Sequence, residues 1–490
     1  MGAIRTGFVR NLLLAGVSAF AIAGAPSDVW SQTLAEALAE AYGTNPTLQA
    51  ARAELRATDE GVAQALSNWR PSIVATGTAQ RTSTQSLLSG GGVGFGSIAG
   101  VTNDDTRNVY STGVRVEQNL FRGGQTIAET REAKARVAAG RARLTDTEQN
   151  VLLDAVTAYM DVLRDGATVE LNANNVVVLQ RQLEASQDRF DVGEITRTDV
   201  AQSEARLSRA RSALIQAEAN RTNSRATYER VMGAAPGTLD PAPPLPALPA
   251  SEEEALQLAL ANNPAIMASR FNEEATRHSI DGAKGTLLPS VTLEGEFGYA
   301  DNPSSAVDNA ESGSVTARLT VPLYQSGAEY SRIRQAKQLN SQSRLQIAEA
   351  VRQTQEGVAS AWEIYRAANA QIESDREQVR ANEIALDGVR QESQVGSRTT
   401  LDVLDAEQEL LDSRVALVTS ERDAYVAAYR LLAAVGYLTA GRLGLGVDLY
   451  DPAGNYDRVN DKWVGFGVAD EPSDVAADSR TDAADSLASN

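Results

Sequence analysis

Val351, Val358, Tyr365, Ile372, Val379 and Leu386 are spaced by seven without interruption. A sustained seven-residue apolar repeat specifies a left-handed coiled coil. Residues 203 positions upstream run in the same phase: Glu148, Ala155, Val162, Val169, Val176 and Leu183, continued by Phe190. The pattern predicts long helices over about 126–190 and 326–394. The first of these, ~65 residues at ~1.5 Å each, would be roughly 100 Å long, far beyond an ordinary globular helix. Each stops at a Val-Gly pair, Val192-Gly193 or Val395-Gly396, where glycine suits a helix C-terminus. Return helices follow over about 198–232 and 401–436. Leu404, Leu411, Val418, Tyr425 and Leu432 carry the seven-residue spacing on the second, and Val200, Leu207 and Leu214 on the first.

Ahead of each long helix the period changes to two. Val291, Leu293, Phe297 and Tyr299 alternate with Ser290, Thr292, Glu294 and Glu296. Val315, Ala317, Leu319 and Val321 alternate with Ser314, Thr316, Arg318 and Thr320 on the way back. Ile73, Ala75 and Ala79, then Tyr110, Val114 and Val116, repeat the scheme, with Val74 breaking it once. β-Hairpins are expected over about 71–120 and 289–324, with strands of about ten residues, the length of a tilted bilayer-crossing strand. A half-buried strand of a soluble sheet alternates in the same way, so the strands alone leave both readings open. Gly90 to Gly96 is a glycine-rich loop inside the first hairpin, and no Gly-Lys-Ser/Thr follows to make it a phosphate loop. Ala- and Glu-rich amphipathic helices, about 33–68 and 251–286, precede the hairpins and stop before Pro71 and Pro289.

The chain is therefore internally duplicated. Asn45-Pro46 and Pro71-Ser72 recur at a shift of 218 as Asn263-Pro264 and Pro289-Ser290. Leu120-Phe121-Arg122-Gly123-Gly124 and the segment from Val192 recur at a shift of 203, so the first copy has 15 extra residues in its hairpin. The first repeat occupies 32–235 and the second 251–436, joined by a proline-rich extended linker at 236–250. Residues 437–469 lack helical periodicity and are expected to be irregular; 470–490 are acidic and expected to be disordered.

Composition narrows the function. A net charge of −19 with no basic patch argues against nucleic acid as a partner. The absence of cysteine removes disulfides, thiolate metal sites and thiol catalysis, and the single histidine, His278, is expected to be solvated. No Gly-x-Ser-x-Gly or His-Glu-x-x-His occurs, so no enzyme activity and no cofactor are expected. Arg5, Arg10 and the short apolar run Leu12 to Ala25 read as a secretory signal peptide over 1–31, with the mature chain starting at Gln32. An exported chain without a membrane helix is either soluble in the periplasm or crosses a membrane as strands.

Four strands cannot close a barrel, and open edges are not tolerated in lipid. If the strands span a membrane, several chains must share one barrel, and three is the economical number for an open lumen. The duplication, the Asn-Pro and Pro-Ser landmarks and the paired tips, above all Val395-Gly396-Ser397-Arg398-Thr399-Thr400-Leu401-Asp402-Val403-Leu404-Asp405-Ala406, resemble the TolC family of outer-membrane channels. The resemblance covers the chain to about residue 467. It implies a homotrimer in outer-membrane lipid, mostly α with a 12-stranded membrane β-barrel continuous with a coiled-coil α-barrel. It also implies the role of exit duct for efflux or type I secretion, served by a periplasmic adaptor (membrane fusion protein) and an inner-membrane ABC or RND-type transporter.

By the same resemblance Asp402 and Asp405, three apart on one helix face, would ring a pore constriction. Arg398 with Thr198 and Asp199 would latch the gate. Val192, Gly193, Thr196, Val395, Gly396 and Thr399 would form the tips that dock the adaptor. The first copy has Asp199 and Gln202 opposite Asp402 and Asp405, so one copy is expected to line the constriction. Trp69, Phe121 and Tyr324 stand at helix–strand junctions, where aromatic residues suit a membrane interface. The alternative is a soluble periplasmic coiled-coil adaptor or scaffold, which shares the export signal and long helices but has no use for two barrel-length hairpins.

Overall fold

The computed structural model describes residues 31–88 and 101–467. The expected signal segment up to residue 30, the glycine loop at 90–96 and the acidic tail at 470–490 lie outside the described residues. In chain order the elements are α1 (Leu34–Thr44), α2 (Pro46–Ser67), β1 (Ser72–Leu88), β2 (Val101–Arg122), α3 (Gln125–Asp191) and α4 (Arg197–Met232). The second copy supplies α5 (Glu252–Asn262), α6 (Pro264–Gly285), β3 (Ser290–Ser304), β4 (Val307–Thr320), α7 (Ala328–Gln394) and α8 (Thr400–Val435), followed by α9 (Ala440–Leu443) and α10 (Gly454–Val459).

Each expected opening helix is in fact two. Asn45 ends α1 in an extended conformation, and its side chain accepts from the N–H groups of Thr47 and Leu48 to start α2 at Pro46. Asn263 repeats this ahead of Pro264. The residue before a proline avoids the helical region, while proline itself suits a first helical position, so Asn-Pro both stops and starts a helix.

The long helices α3 and α7 each contain 67 residues, roughly 100 Å at 1.5 Å per residue. Their return helices have 36 residues each and cover only the half nearer the tips. The other half of α3 is covered by both short helices: Gly140 approaches Leu55 of α2, and Arg143 donates to Asn272 of α6 at 3.2 Å. The helix of the second copy is thus packed on the long helix of the first. The expected seven-residue faces turn inward along much of their length, with Ala155, Val162, Val358 and Leu386 buried, while Phe190 next to the tip is exposed. The largest core joins Leu38 and Tyr42 of α1, Leu152 and Tyr159 of α3, Tyr228 of α4 and Tyr429 of α8. Gln32 is tied to it: the hydroxyl of Tyr159 donates to its carbonyl and that of Tyr228 to its side chain. Residues 236–250 lie outside the named helices and strands, and Leu239, Ala242 and Leu248 pack against this core.

Two expectations fail. Residues 437–467 are not merely irregular; they form α9 and α10, and Leu438, Ala440 and Leu445 are buried in the core. Their anchoring comes from separate side chains and leaves no period to read. His278 is largely covered, with a buried Nδ1 that has no hydrogen-bond partner among the described residues.

The strands form one antiparallel sheet ordered β1-β2-β3-β4, and the pairing of β2 with β3 joins the two copies. They run to 17, 22, 15 and 14 residues, longer than expected. The apolar stretch is shorter. Ile73, Val116 and Val315 share one row and Val114 and Phe297 the next, while polar residues such as Asp301 and Asn309 succeed them beyond Tyr299. The opposite face carries cross-strand ion pairs, Arg115 with Glu296 and Arg318 with Glu294. Val291 to Tyr299 spans roughly 27 Å along the strand at ~3.4 Å per residue, about 20 Å when tilted, close to the apolar band of a barrel wall. At the sheet base a Cβ on Gly123 would meet the Gly285 carbonyl at 2.3 Å, so both copies meet there through bare backbone.

Candidate functional site: the helix tips

The two tips share one construction. Gly193 (φ +78°) and Gly396 (φ +80°) take the left-handed conformation that glycine adopts without steric cost. At the first tip Gly193 N–H donates to the Phe190 carbonyl and Glu194 N–H to that of Arg189; at the second, Gly396 donates to Ser393 and Ser397 to Glu392. This paired bonding closes the C-terminus of each long helix. Three residues later each return helix opens on a capping box. Asp199 N–H donates to Thr196 Oγ1 at 3.3 Å while Thr196 N–H donates to the Asp199 carboxylate at 2.9 Å. Thr399 and Asp402 repeat the exchange at 3.2 and 2.8 Å. The donated backbone N–H of Thr196 or Thr399 holds each aspartate below the usual carboxylate range.

Asp402, expected at a constriction, therefore also caps the start of α8. Asp405 is exposed and pairs with Arg206 of α4, an ion pair that crosses from one copy to the other. Arg398 donates to Glu392 across its own turn at 2.9 Å. Among the described residues no hydrogen bond joins it to Thr198 or Asp199. Val192, Gly193, Thr196, Thr198, Val395, Gly396 and Thr399 are all exposed. Behind the tips Leu404 of α8 packs on Leu179 of α3 and on Leu207 and Ala210 of α4, so the two tips form one body. A cleft of about 500 Å³ between them is lined by Arg181, Arg189, Arg390, Ser393, Val403 and Glu407, with Arg390 paired to Glu407. Arg206 carries little signal in the sequence beyond a position four residues after Gln202, the counterpart of Asp405.

Trp69, Phe121 and Tyr324 stand exposed where helices meet strands, about 100 Å from the tips along the long helices. Gln118 donates to the Trp69 carbonyl at 3.0 Å, fixing that junction. Among the described residues no helix is long and apolar enough to cross a membrane, and no group of residues is arranged to hold a metal ion.

The chain matches the family model described as "Outer membrane efflux protein" over residues 37–234 and 255–437, the two repeats. It is 36% identical to the outer membrane efflux protein BepC of Brucella suis, over 90% of this chain and 93% of that protein. It is 27% identical to the outer membrane protein TolC of Vibrio cholerae, over 88% and 96% of the two chains. The fold superposes on the CmeC outer membrane channel of Campylobacter jejuni with a TM-score of 0.72 at 14% identity, covering 87% of this chain and 89% of that one. With a membrane-type sheet at one end and two long helical hairpins at the other, the chain belongs to the outer membrane efflux protein family, the TolC-type export channels, placed in the outer membrane with a periplasmic extension.

Proposed function

We propose that three chains close the sheet and the helices into one continuous duct, and that the tips are its gate. The observation that carries this reading is the contact between the two copies inside one chain. There β2 pairs with β3, α3 packs along α6, and Gly123 meets Gly285. The same surfaces recur unpartnered at the chain's ends: β1 and β4 are free sheet edges, and α7 and α2 are the repeat counterparts of α3 and α6. Repeating the internal contact between chains pairs β4 with β1 of a neighbour. Val116 opposite Gly295 inside the chain becomes Leu319 opposite Gly77 between chains, using the shifts of 203 and 218. Closure satisfies the backbone groups that lipid cannot. Three chains supply twelve strands, enough for a water-filled lumen lined by the Arg115, Glu296, Glu294 and Arg318 face.

In this reading Asp402 and Asp405 form stacked rings of carboxylates at the periplasmic entrance, which favour cations and bind divalent ions. Arg398, bonded among the described residues to Glu392 of its own turn, would reach Thr198 and Asp199 of a neighbour. The exposed tips and their basic cleft would receive a periplasmic adaptor, linking the duct to an ABC or RND-type inner-membrane transporter for efflux or type I secretion. Planar-bilayer recording of the purified protein is the test. The account predicts a cation-selective conductance, blocked by a divalent ion added on the tip side, with block weakened by Asp402→Asn together with Asp405→Asn. Block that survives both substitutions would remove these residues from the constriction.

A further inference from the structure

The segment after α8 runs along α2 from the core to the foot of the sheet. Tyr450 N–H donates to the Tyr42 hydroxyl at 3.0 Å, and the Arg52 guanidinium stacks on both Tyr42 and Tyr450. Higher up, Asn455 donates to the buried carboxylate of Asp59 at 2.9 Å, and Arg141 lies over Tyr456. At the top Arg70, two residues before β1, donates to the Lys462 carbonyl at 2.6 Å and stacks on Trp463 at 4.8 Å. These contacts fix the height of the segment's end at the level where Trp69 and Phe121 mark the barrel base. There an apolar cluster is left uncovered in the single chain: Trp463, Val464 and Phe466 are 66, 86 and 105% exposed. Among the described residues, a segment held by that many specific contacts thus carries three bare apolar side chains.

We propose that Trp463, Val464 and Phe466 are a peripheral lipid anchor that inserts into the headgroup–acyl boundary of the leaflet surrounding the barrel base. The occupant is phospholipid, because Arg70, on which Trp463 stacks, stands three residues before Ile73, where the exposed apolar wall of the sheet begins. Tryptophan and phenylalanine suit that boundary, and the Lys462 ammonium and Arg70 guanidinium stand where lipid phosphates lie. Three such anchors in a closed duct would resist tilting of the long periplasmic tube against the membrane. The inference rests on the outer-membrane placement of the sheet.

The chain has no cysteine, so one introduced thiol can carry a fluorophore without background. Phe466→Cys, Val315→Cys on the barrel wall and Val395→Cys at the tip are each labelled with bimane. All are reconstituted as full-length protein in phosphatidylethanolamine/phosphatidylglycerol vesicles, with or without 5-doxyl lipid. The proposal predicts that the label at 466 loses fluorescence to doxyl lipid as the label at 315 does, while the label at 395 responds only to aqueous iodide. If the label at 466 behaves like that at 395 while the label at 315 is quenched by lipid, the anchor is wrong and the barrel stands. A label at 466 that neither quencher reaches would place the cluster between chains, which also overturns the proposal. If the label at 315 itself is untouched by doxyl lipid, the membrane placement of the sheet fails first.

Discussion

Replacing Arg206 with glutamine removes the one charged contact that, among the described residues, crosses between the two copies at the tip, its pair with Asp405. The side chains are 25 and 55% exposed, so solvent screens the pair, and ~0.5 kcal/mol is a fair value for each chain. If the duct opens with all chains together, three such losses amount to about 1.5 kcal/mol, or roughly tenfold in the ratio of open to closed channels. Single-channel open probability in planar bilayers reads this directly. Asp405→Asn should raise it to the same degree. The double variant should open no further than either single one, because both remove the same interaction. Unchanged open probability in Arg206→Gln, or fully additive effects in the double variant, would refute a closing role for the pair.

The caps give two further outcomes. Thr196→Ala removes the hydroxyl that accepts from Asp199 N–H and should cost about 1 kcal/mol locally, seen as roughly fivefold faster amide exchange in the first turn of α4. Asp199 and Asp402 have carboxyls lowered by the Thr196 and Thr399 N–H groups. Their stabilisation is therefore fully present above the ordinary carboxylate range and is lost as pH falls through the lowered values. Amide exchange at the two return-helix starts should accelerate selectively below about pH 4 relative to mid-helix positions. A flat acid profile would contradict that reading. Leu404→Ala, at the centre of the tip cluster, should cost about 3 kcal/mol and make both tips susceptible to protease, since α3, α4 and α8 share that contact.

The duplication, the seven-residue faces, both hairpins and the tip motifs were readable because each is a local period or a local cap. Thr196 with Asp199 and Thr399 with Asp402 are capping boxes written three residues apart, and Gly193 and Gly396 mark the stops. The break at Asn45-Pro46 is equally local but is masked in the sequence, since one amphipathic period runs through both helices. Arg206 was out of reach for a different reason. Its pairing with Asp405 depends on how α8 is rotated against α4, which no spacing within either helix records. The same holds for His278, polar by sequence neighbours and covered by tertiary packing, and for the C-terminal segment. Arg52, Arg70 and Arg141 of the first repeat hold its aromatic residues one by one, a pattern with no periodicity.

The claim that the chain's internal contact is repeated between chains is tested most directly by a disulfide. Gly77 has open space for a Cβ, and the wild-type chain has no thiol of its own. The variant carrying Gly77→Cys and Leu319→Cys, oxidised in native membranes and run on a denaturing gel without reductant, should migrate as a covalent ring of three chains. Each single variant should remain a monomer. Failure of the double variant to link, with both thiols still reactive to a maleimide, would contradict the β4-to-β1 register and with it the shared barrel.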